Sequence, residues 1–346
     1  MQQPDFTPIE SVGEFGLIDR LHTVLGEAAD DQLICGIGDD AAVFRKEVGI
    51  YQVITIDALI EGVHFERSIM PMRHLGFKSV AVSVSDVAAM NARPRYAVVS
   101  VAVPHAVSVE MMETLYTGIR SACETYGLTV VGGDTTAARQ LTISVAMIGE
   151  VEDRRVAFRR GASPGDLVCV SGDLGSSYAG LKVLLKERLA MQEADASFTP
   201  DLDRFDYVVG RQLMPKARMD LVTSWEVVNF VPRAMIDVSD GLSSEIHHIC
   251  RQSGCGALLR SDSIPIHEQA RIVADEFEDD AVNFALFGGE DYELLFAARP
   301  EDISRIDDGT CTVIGIFTDP EEGVHMEDEE GRHMGISPDG FQHFEG

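Results

Sequence analysis

Gly36-Ile37-Gly38-Asp39-Asp40, followed by Thr55-Ile56-Asp57-Ala58-Leu59-Ile60-Glu61-Gly62-Val63-His64-Phe65, is the stretch around which this 346-residue chain is organised. Its acids stand beside glycines at the ends of apolar, strand-like runs, and neither motif contains Lys or Arg. Two unscreened carboxylates ~4 Å apart repel by roughly 4 kcal/mol at an effective dielectric near 20. A fold that gathers several such groups therefore needs cations to hold them. Hard divalent ions such as Mg²⁺ take oxygen ligands, commonly one or two carboxylates plus substrate phosphates. The stretch reads as the start of a metal-and-phosphate site that the rest of the chain completes.

Outward from it, β-rich and helical patterns alternate. Residues 14–25 have apolar positions at helical spacing, and 50–56 form a strand ending in Asp57. Residues 73–90 predict a helix stopped by Pro94, with Asp86 in the middle of its apolar run. A strand at 96–103 and a helix at 109–126, capped by Gly127, lead to a strand at 128–131. That strand runs into Gly132-Gly133-Asp134-Thr135-Thr136, and another follows at 141–151. The charged segment 152–160 breaks the pattern, dividing the chain into domains at 1–152 and 153–346.

The second half repeats the device. A strand at 167–170 opens onto Gly172-Asp173-Leu174-Gly175-Ser176-Ser177 and a helix to about residue 189. Residues 190–206 read as a solvated loop or helical insertion, and 219–229 as a helix. A short strand at 234–236 enters Asp237-Val238-Ser239-Asp240-Gly241, then a helix at 242–250. Phe287-Gly288-Gly289-Glu290-Asp291-Tyr292 leads into a strand at 293–297, and 312–317 reads as the final strand. The fold class is α/β (α+β).

The formal charge of −29 argues against nucleic-acid or anionic-membrane surfaces, which need a basic patch. Lys is scarce, and acid excess with few lysines suggests a high-salt cytoplasm, where screening makes self-repulsion tolerable. The six cysteines form no Cys-x-x-Cys and read as reduced thiols of a cytoplasmic protein. No signal-peptide pattern opens the chain, and its apolar runs are strand-sized.

Gly36-Ile37-Gly38-Asp39-Asp40-Ala41 formally fits a dinucleotide fingerprint. Two acids would face the pyrophosphate there, and a β-run follows where a helix is needed. Neither a P-loop nor His-Glu-x-x-His occurs, and His247-His248 reads as a solvated pair. An acid inside an apolar helix is costly unless paired or metal-bound, which singles out Asp86. In Gly132-Gly133-Asp134-Thr135-Thr136 the glycines admit an anion to the backbone N–H groups while Asp and Thr offer oxygens to a metal. His64 and Arg159 or Arg160 are candidates for phosphate contact.

Together these motifs carry a resemblance. Residues 36–42, Asp57 with 61–65, Ser85-Asp86-Val87-Ala88-Ala89-Met90, 132–136, Arg159-Arg160-Gly161-Ala162-Ser163-Pro164-Gly165-Asp166, Asp237-Val238-Ser239-Asp240-Gly241-Leu242, 287–294 and Gly340-Phe341-Gln342-His343-Phe344 resemble the thiamine-monophosphate kinase family, in order across nearly the whole chain. The resemblance implies a two-domain aminoimidazole ribonucleotide synthetase-like fold, with the N-terminal domain dimerising through its sheet to form a homodimer. It also implies ATP-dependent, multi-Mg²⁺ phosphorylation of thiamine monophosphate to thiamine diphosphate.

Carried over by position, Asp40, Thr55, Ile56, Asp57, Asp86, Asp134, Asp237 and Asp240 would hold Mg²⁺. Gly133, Asp134, Arg159 and Ser239 would contact ATP. His64, Glu290 and Phe341 would contact thiamine monophosphate. The chain departs from the family pattern at Ile56, usually Thr, where only the backbone carbonyl remains as a ligand. Asn91 replaces a usual Gly, and Gln342 a usual Asp.

Phosphoryl transfer asks the protein mainly for positioning and charge neutralisation. The acceptor phosphate is already ionised at neutral pH, so no general base, nucleophilic side chain or phosphoenzyme is expected. Two alternatives remain. One is another ATP-dependent enzyme of the superfold, of the aminoimidazole ribonucleotide or selenophosphate synthetase kind; the latter would need a reactive Cys and Lys before the first Gly-Asp-Asp. The other is a non-catalytic nucleotide-binding regulator, which would have no need of every acid.

Overall fold

The computed structural model describes residues 7–26, 30–193, 200, 202–306 and 309–338. The chain begins with helix α1 (Gly13–Leu25) and strands β1 (Leu33–Cys35), β2 (Ala42–Glu47) and β3 (Ile50–Ile60). Helix α2 (Met72–Ala89), strand β4 (Arg93–Val103), helix α3 (Val109–Tyr126) and strands β5 (Thr129–Ala137) and β6 (Thr142–Glu152) complete the first domain. Its six strands lie in the order β1-β2-β3-β6-β4-β5, all antiparallel except the β4–β5 pair. Ile54, Ile56, Tyr96, Val98 and Val131 stand exposed on this sheet, while Val53, Ala97 and Val99 are buried with α2 and α3.

Helix α2 is buried along nearly its whole length, which is the signature of a helix packed on all sides. It touches β3, β6 and α3 in its own domain. Against α3 the backbones approach until a methyl group on Gly76 would lie 2.0 Å from the Leu115 carbonyl oxygen, and one on Gly118 1.9 Å from that of Arg73. The helix ends at Asn91, which takes the left-handed region at φ 54°. There Ala92 N–H bonds the Val87 carbonyl at 3.0 Å and Asn91 N–H that of Ala88 at 2.8 Å. Such a helix end favours Gly, with Asn next best. The Asn91 amide adds what Gly lacks, donating from Nδ2 to the Arg155 carbonyl at 2.7 Å.

The second domain runs β7 (Leu167–Ser171), α4 (Ser176–Glu193), α5 (Asp206–Leu213), α6 (Met219–Val227), β8 (Ala234–Asp237), α7 (Leu242–Ser253), β9 (Gly256–Arg260), α8 (Glu268–Glu276), α9 (Ala281–Phe287), β10 (Leu294–Ala298), α10 (Ile303–Ile306), β11 (Cys311–Thr318), β12 (Val324–Glu327) and β13 (His333–Gly335). Its mixed sheet has the order β13-β12-β9-β11-β7-β10-β8, with β12 parallel to β9. The chain is thus a two-domain α/β protein with one mixed sheet in each domain. The domains meet along α2, which also contacts β8, α5 and α6. Trp225 is buried at this seam with Ala88 and Ala89 of α2, its ring edge-on to Phe230 and Phe296.

Several sequence expectations change. Asp57 does not end its strand: β3 continues to Ile60 because β6 pairs with it residue for residue, Asp57 opposite Val145. The Gly132–Thr136 motif is likewise strand, carried in β5 by pairing with β4. Residues 311–318 are not the last strand, since β12 and β13 follow within acid-rich sequence that hides their alternation. His248 is not solvated; it is buried, and its Nδ1 lies 3.0 Å from Arg251 Nη2. No helix among the described residues is long and apolar enough to cross a membrane.

Candidate active site

The loop between β1 and β2 presents Asp40, the last turn of α2 presents Asp86, and the end of β8 presents Asp237. One carboxylate oxygen from each lies within 4.8 Å of the others. Three elements from two domains therefore converge on one point, with α2 running between the sheets. Asp40 and Asp237 are buried. Asp40 Oδ1 accepts from Arg159 Nε at 3.0 Å, while Arg159 N–H reaches both Asp39 oxygens at 3.3 Å. Asp40 Oδ2 is buried without a hydrogen-bond partner.

Asp57 stands beside this trio. Its Oδ2 accepts from the Ser83 hydroxyl at 2.7 Å. Thr55 Oγ1 donates to Asp86 Oδ2. Burial is the first cause of each carboxyl's shift here, and neighbouring carboxylates add to it at Asp39, Asp57, Asp86 and Asp237. Asp39 is pushed up to about 7 and Asp237 to about 8. Asp86 is raised well above the usual range by burial, then by Asp57, Asp237 and Asp40. Asp40 and Asp57 shift the same way.

Three crowded carboxylates, one with an orphaned buried oxygen, form a hard all-oxygen donor set. That set fits Mg²⁺ and not a soft metal. Without a divalent ion the acids are expected to hold protons. A carboxyl raised in the fold binds protons that the unfolded chain has released, so metal-free stability falls as pH rises from about 4 to about 8. The melting temperature in EDTA should therefore be higher at about pH 6 than at about pH 8, and Mg²⁺ should raise it more at the higher pH. Equal Mg²⁺ effects at both pH values would show that these carboxyls do not bind the ion.

The remaining candidates are placed as follows. The Ile56 side chain is exposed on its strand, whereas its neighbour Thr55 is buried. Asp134 is exposed on edge strand β5, in register with Ser100, and does not join the trio. Gly133 is needed where it is, because a methyl there would lie 1.9 Å from the Val99 carbonyl oxygen. Ser239 and Asp240 are half-buried in the loop after β8. The ring of half-buried His64 accepts the Ile60 N–H at Nδ1, 3.1 Å away. Phe341 lies outside the described residues.

Three functional-looking groups were not singled out from sequence. Glu245 of α7 is buried, and its Oε1 accepts from Asp240 N–H at 2.9 Å and Ser239 N–H at 3.3 Å, holding the Asp237–Gly241 loop. Asp291 is buried and accepts from Gly175 N–H at 2.6 Å and Ser177 N–H at 3.1 Å. It thereby occupies two N–H groups of the Gly172–Ser177 loop. Lys78 of α2 is wholly buried with Nζ 2.8 Å from Glu290 Oε1. The signal for Lys78 was present, since a charge within an apolar helical run is the same feature that marked Asp86.

Residues 38–151 match the model of the AIR synthase related protein N-terminal domain, and residues 163–326 that of the C-terminal domain. Thiamine-monophosphate kinase of Aquifex aeolicus is 33% identical over 97% of this chain and 99% of its own length. That of Escherichia coli K12 is 32% identical over 96% and 98%. A solved structure described as "AaThiL complexed with AMPPCP and TMP" superposes with a TM-score of 0.83 at 33% identity, covering 98% of this chain and 99% of that one. With both domain models matched and identity sustained end to end, the chain belongs to the thiamine-monophosphate kinase family of AIR synthase related proteins.

Proposed function

We infer that this protein is an ATP-dependent kinase that phosphorylates thiamine monophosphate to thiamine diphosphate by direct transfer of the γ-phosphoryl group. The observation that carries the reading is the Asp40–Asp86–Asp237 cluster at the seam of the two domains. Support comes also from a 33% identical relative solved with AMPPCP and TMP.

Asp40, Asp86 and Asp237 would hold Mg²⁺, with Thr55, the Ile56 carbonyl, Asp57, Asp134 and Asp240 as further oxygen donors. When bound, Mg²⁺ neutralises and orients the nucleotide phosphates during in-line displacement. Arg159 opposes the rise that burial imposes on Asp40, and would present a guanidinium to the phosphates beside Gly133 and Ser239. His64, Glu290 and Phe341 orient the acceptor. The acceptor's phosphate oxygen is itself the nucleophile, so the side chains bind and align rather than exchange protons.

The domain ending at residue 152 supplies most of the metal donors, and the domain from 153 closes over them. The exposed sheet residues Ile54, Ile56, Tyr96, Val98 and Val131 would be covered by a second copy in a homodimer. Its free thiols suit a cytoplasmic setting.

The test is to incubate the protein with ATP, Mg²⁺ and thiamine monophosphate and follow thiamine diphosphate. Formation dependent on both substrates and abolished by EDTA is expected. ATP consumption that ignores thiamine monophosphate would overturn the reading in favour of a different acceptor.

A further inference from the structure

Lys78 is one of only five lysines in the chain, and it is 0% exposed. A buried ammonium is costly unless it is paired and hydrogen-bonded. Its partners lie across the domain seam: Glu290 Oε1 at 2.8 Å and the Gln212 carbonyl at 3.5 Å. Gln212 in turn donates from Nε2 to Glu290 Oε2 at 3.0 Å, and its own amide oxygen accepts from Ser177 Oγ at 2.6 Å. Both carboxylate oxygens of Glu290 are thus gripped, one from each domain.

The backbone beneath is equally constrained. Glu290 sits in the left-handed region at φ 58°, after Gly289 at φ 68°. Its N–H bonds the Ser239 carbonyl at 2.6 Å, and Tyr292 N–H bonds that of Val238 at 2.8 Å. A non-glycine residue held in that region marks a position the surroundings over-determine. Glu290 is therefore tied to the loop that follows Asp237 and, through Lys78, to α2. Lys78 and Asp86 stand eight residues apart on that one helix, which is ~12 Å at 1.5 Å per residue.

We propose that Lys78 is a positioning residue for the acceptor substrate: it clamps Glu290 across the seam, so that α2 fixes the distance between the metal cluster and the acceptor site. The inference rests on the reading of Glu290 as an acceptor contact. Asp86 at one point of the helix and Lys78 two turns earlier hold the two ends of the reaction in a constant relation. Lys78 itself is sealed from solvent and acts only through Glu290.

The full-length protein is compared as wild type, Lys78→Met, Lys78→Arg, Glu290→Gln and Lys78→Met/Glu290→Gln, with KM measured separately for each substrate. Lys78→Met is expected to raise KM for thiamine monophosphate on the order of 10–100-fold, the loss typical of a misplaced binding group. KM for ATP should stay within about twofold, because uniform binding at the nucleotide end is untouched. Glu290→Gln should give the same split, and the double variant should be no worse than the poorer single one, since both remove one clamp. Lys78→Arg keeps the charge and should recover part of the loss; where Lys78→Met does not fold, Lys78→Arg and Glu290→Gln carry the same comparison. Equal changes in both KM values, or additive effects in the double variant, would overturn the clamp. A wild type that makes no thiamine diphosphate would instead overturn the activity on which it rests.

Discussion

Asp86→Asn is expected to lower Mg²⁺-supported turnover by on the order of 10³-fold, the scale of losing one pre-organised electrostatic contact at a transferring phosphoryl group, while leaving the fold intact and raising its metal-free melting temperature. The two effects have one cause. Asp86 shares its site with Asp40 and Asp237, and Asp57 adds to the charge around it. In the metal-free protein at about pH 8 and above, where these groups give up their protons, they oppose one another, so a neutral amide of the same shape relieves the fold. With nucleotide present, the same charge is what holds the cation, and its loss is felt in the rate. Steady-state kinetics at saturating Mg²⁺ and melting in EDTA check both. Near-normal turnover, or an EDTA melting temperature below wild type, would remove Asp86 from the metal site.

Glu293→Ala is expected to carry the largest stability cost. Glu293 is 1% exposed at the entrance to β10. Its Oε1 lies 2.7 Å from Arg211 Nη1, and its Oε2 lies 2.6 Å from Arg218 Nη1 and 2.5 Å from Ser171 Oγ. Removing one partner of a buried pair typically costs about 3–5 kcal/mol, because the remaining charge is stranded. Here two guanidiniums lose their shared carboxylate at once. Asp220 still holds Arg218 at 2.9 Å, whereas Asp291 is 3.9 Å from Arg211. Arg211 is thus the group left worst served, and the Asp291 turn beside Glu290 should loosen with it. Denaturant unfolding measures the loss; a change below about 1 kcal/mol would mean that the arginines re-pair with their remaining acids.

How far these features were legible in sequence depended on whether their physics is local. Asp86 stood out because a charge inside an apolar helix is anomalous without any knowledge of the fold. Lys78 meets the same criterion, but nothing local names the acid that it pairs with across the seam. Asp40 and Asp237 were legible as acids beside glycines, but nothing local shows that they lie across a seam from each other. Asp57 and Asp134 read as strand ends because Asp is depleted in strands, and Gly132-Gly133 beside Asp134 adds to that signal. Pairing with β6 and β4 overrides that local signal, and strand pairing is a long-range fact. His248 was misjudged for a similar reason: the Arg251 and Arg159 that surround it come from the next helical turn and from the interdomain segment, and burial lowers its pKa to about 3. Asn91 went the other way. Its replacement of a usual Gly is explained by a left-handed helix end that asparagine tolerates.

Trp225 gives the seam a natural light source. It is the chain's sole tryptophan, and its indole is enclosed by Phe230, Phe296 and the last turn of the helix that bears Lys78 and Asp86. Emission from a dry, aromatic-walled site lies to the blue. Any parting of the two halves that admits water therefore registers as a red shift from a single, already assigned fluorophore. Separation of the two halves during unfolding can thus be timed in the unmodified protein, with no label attached.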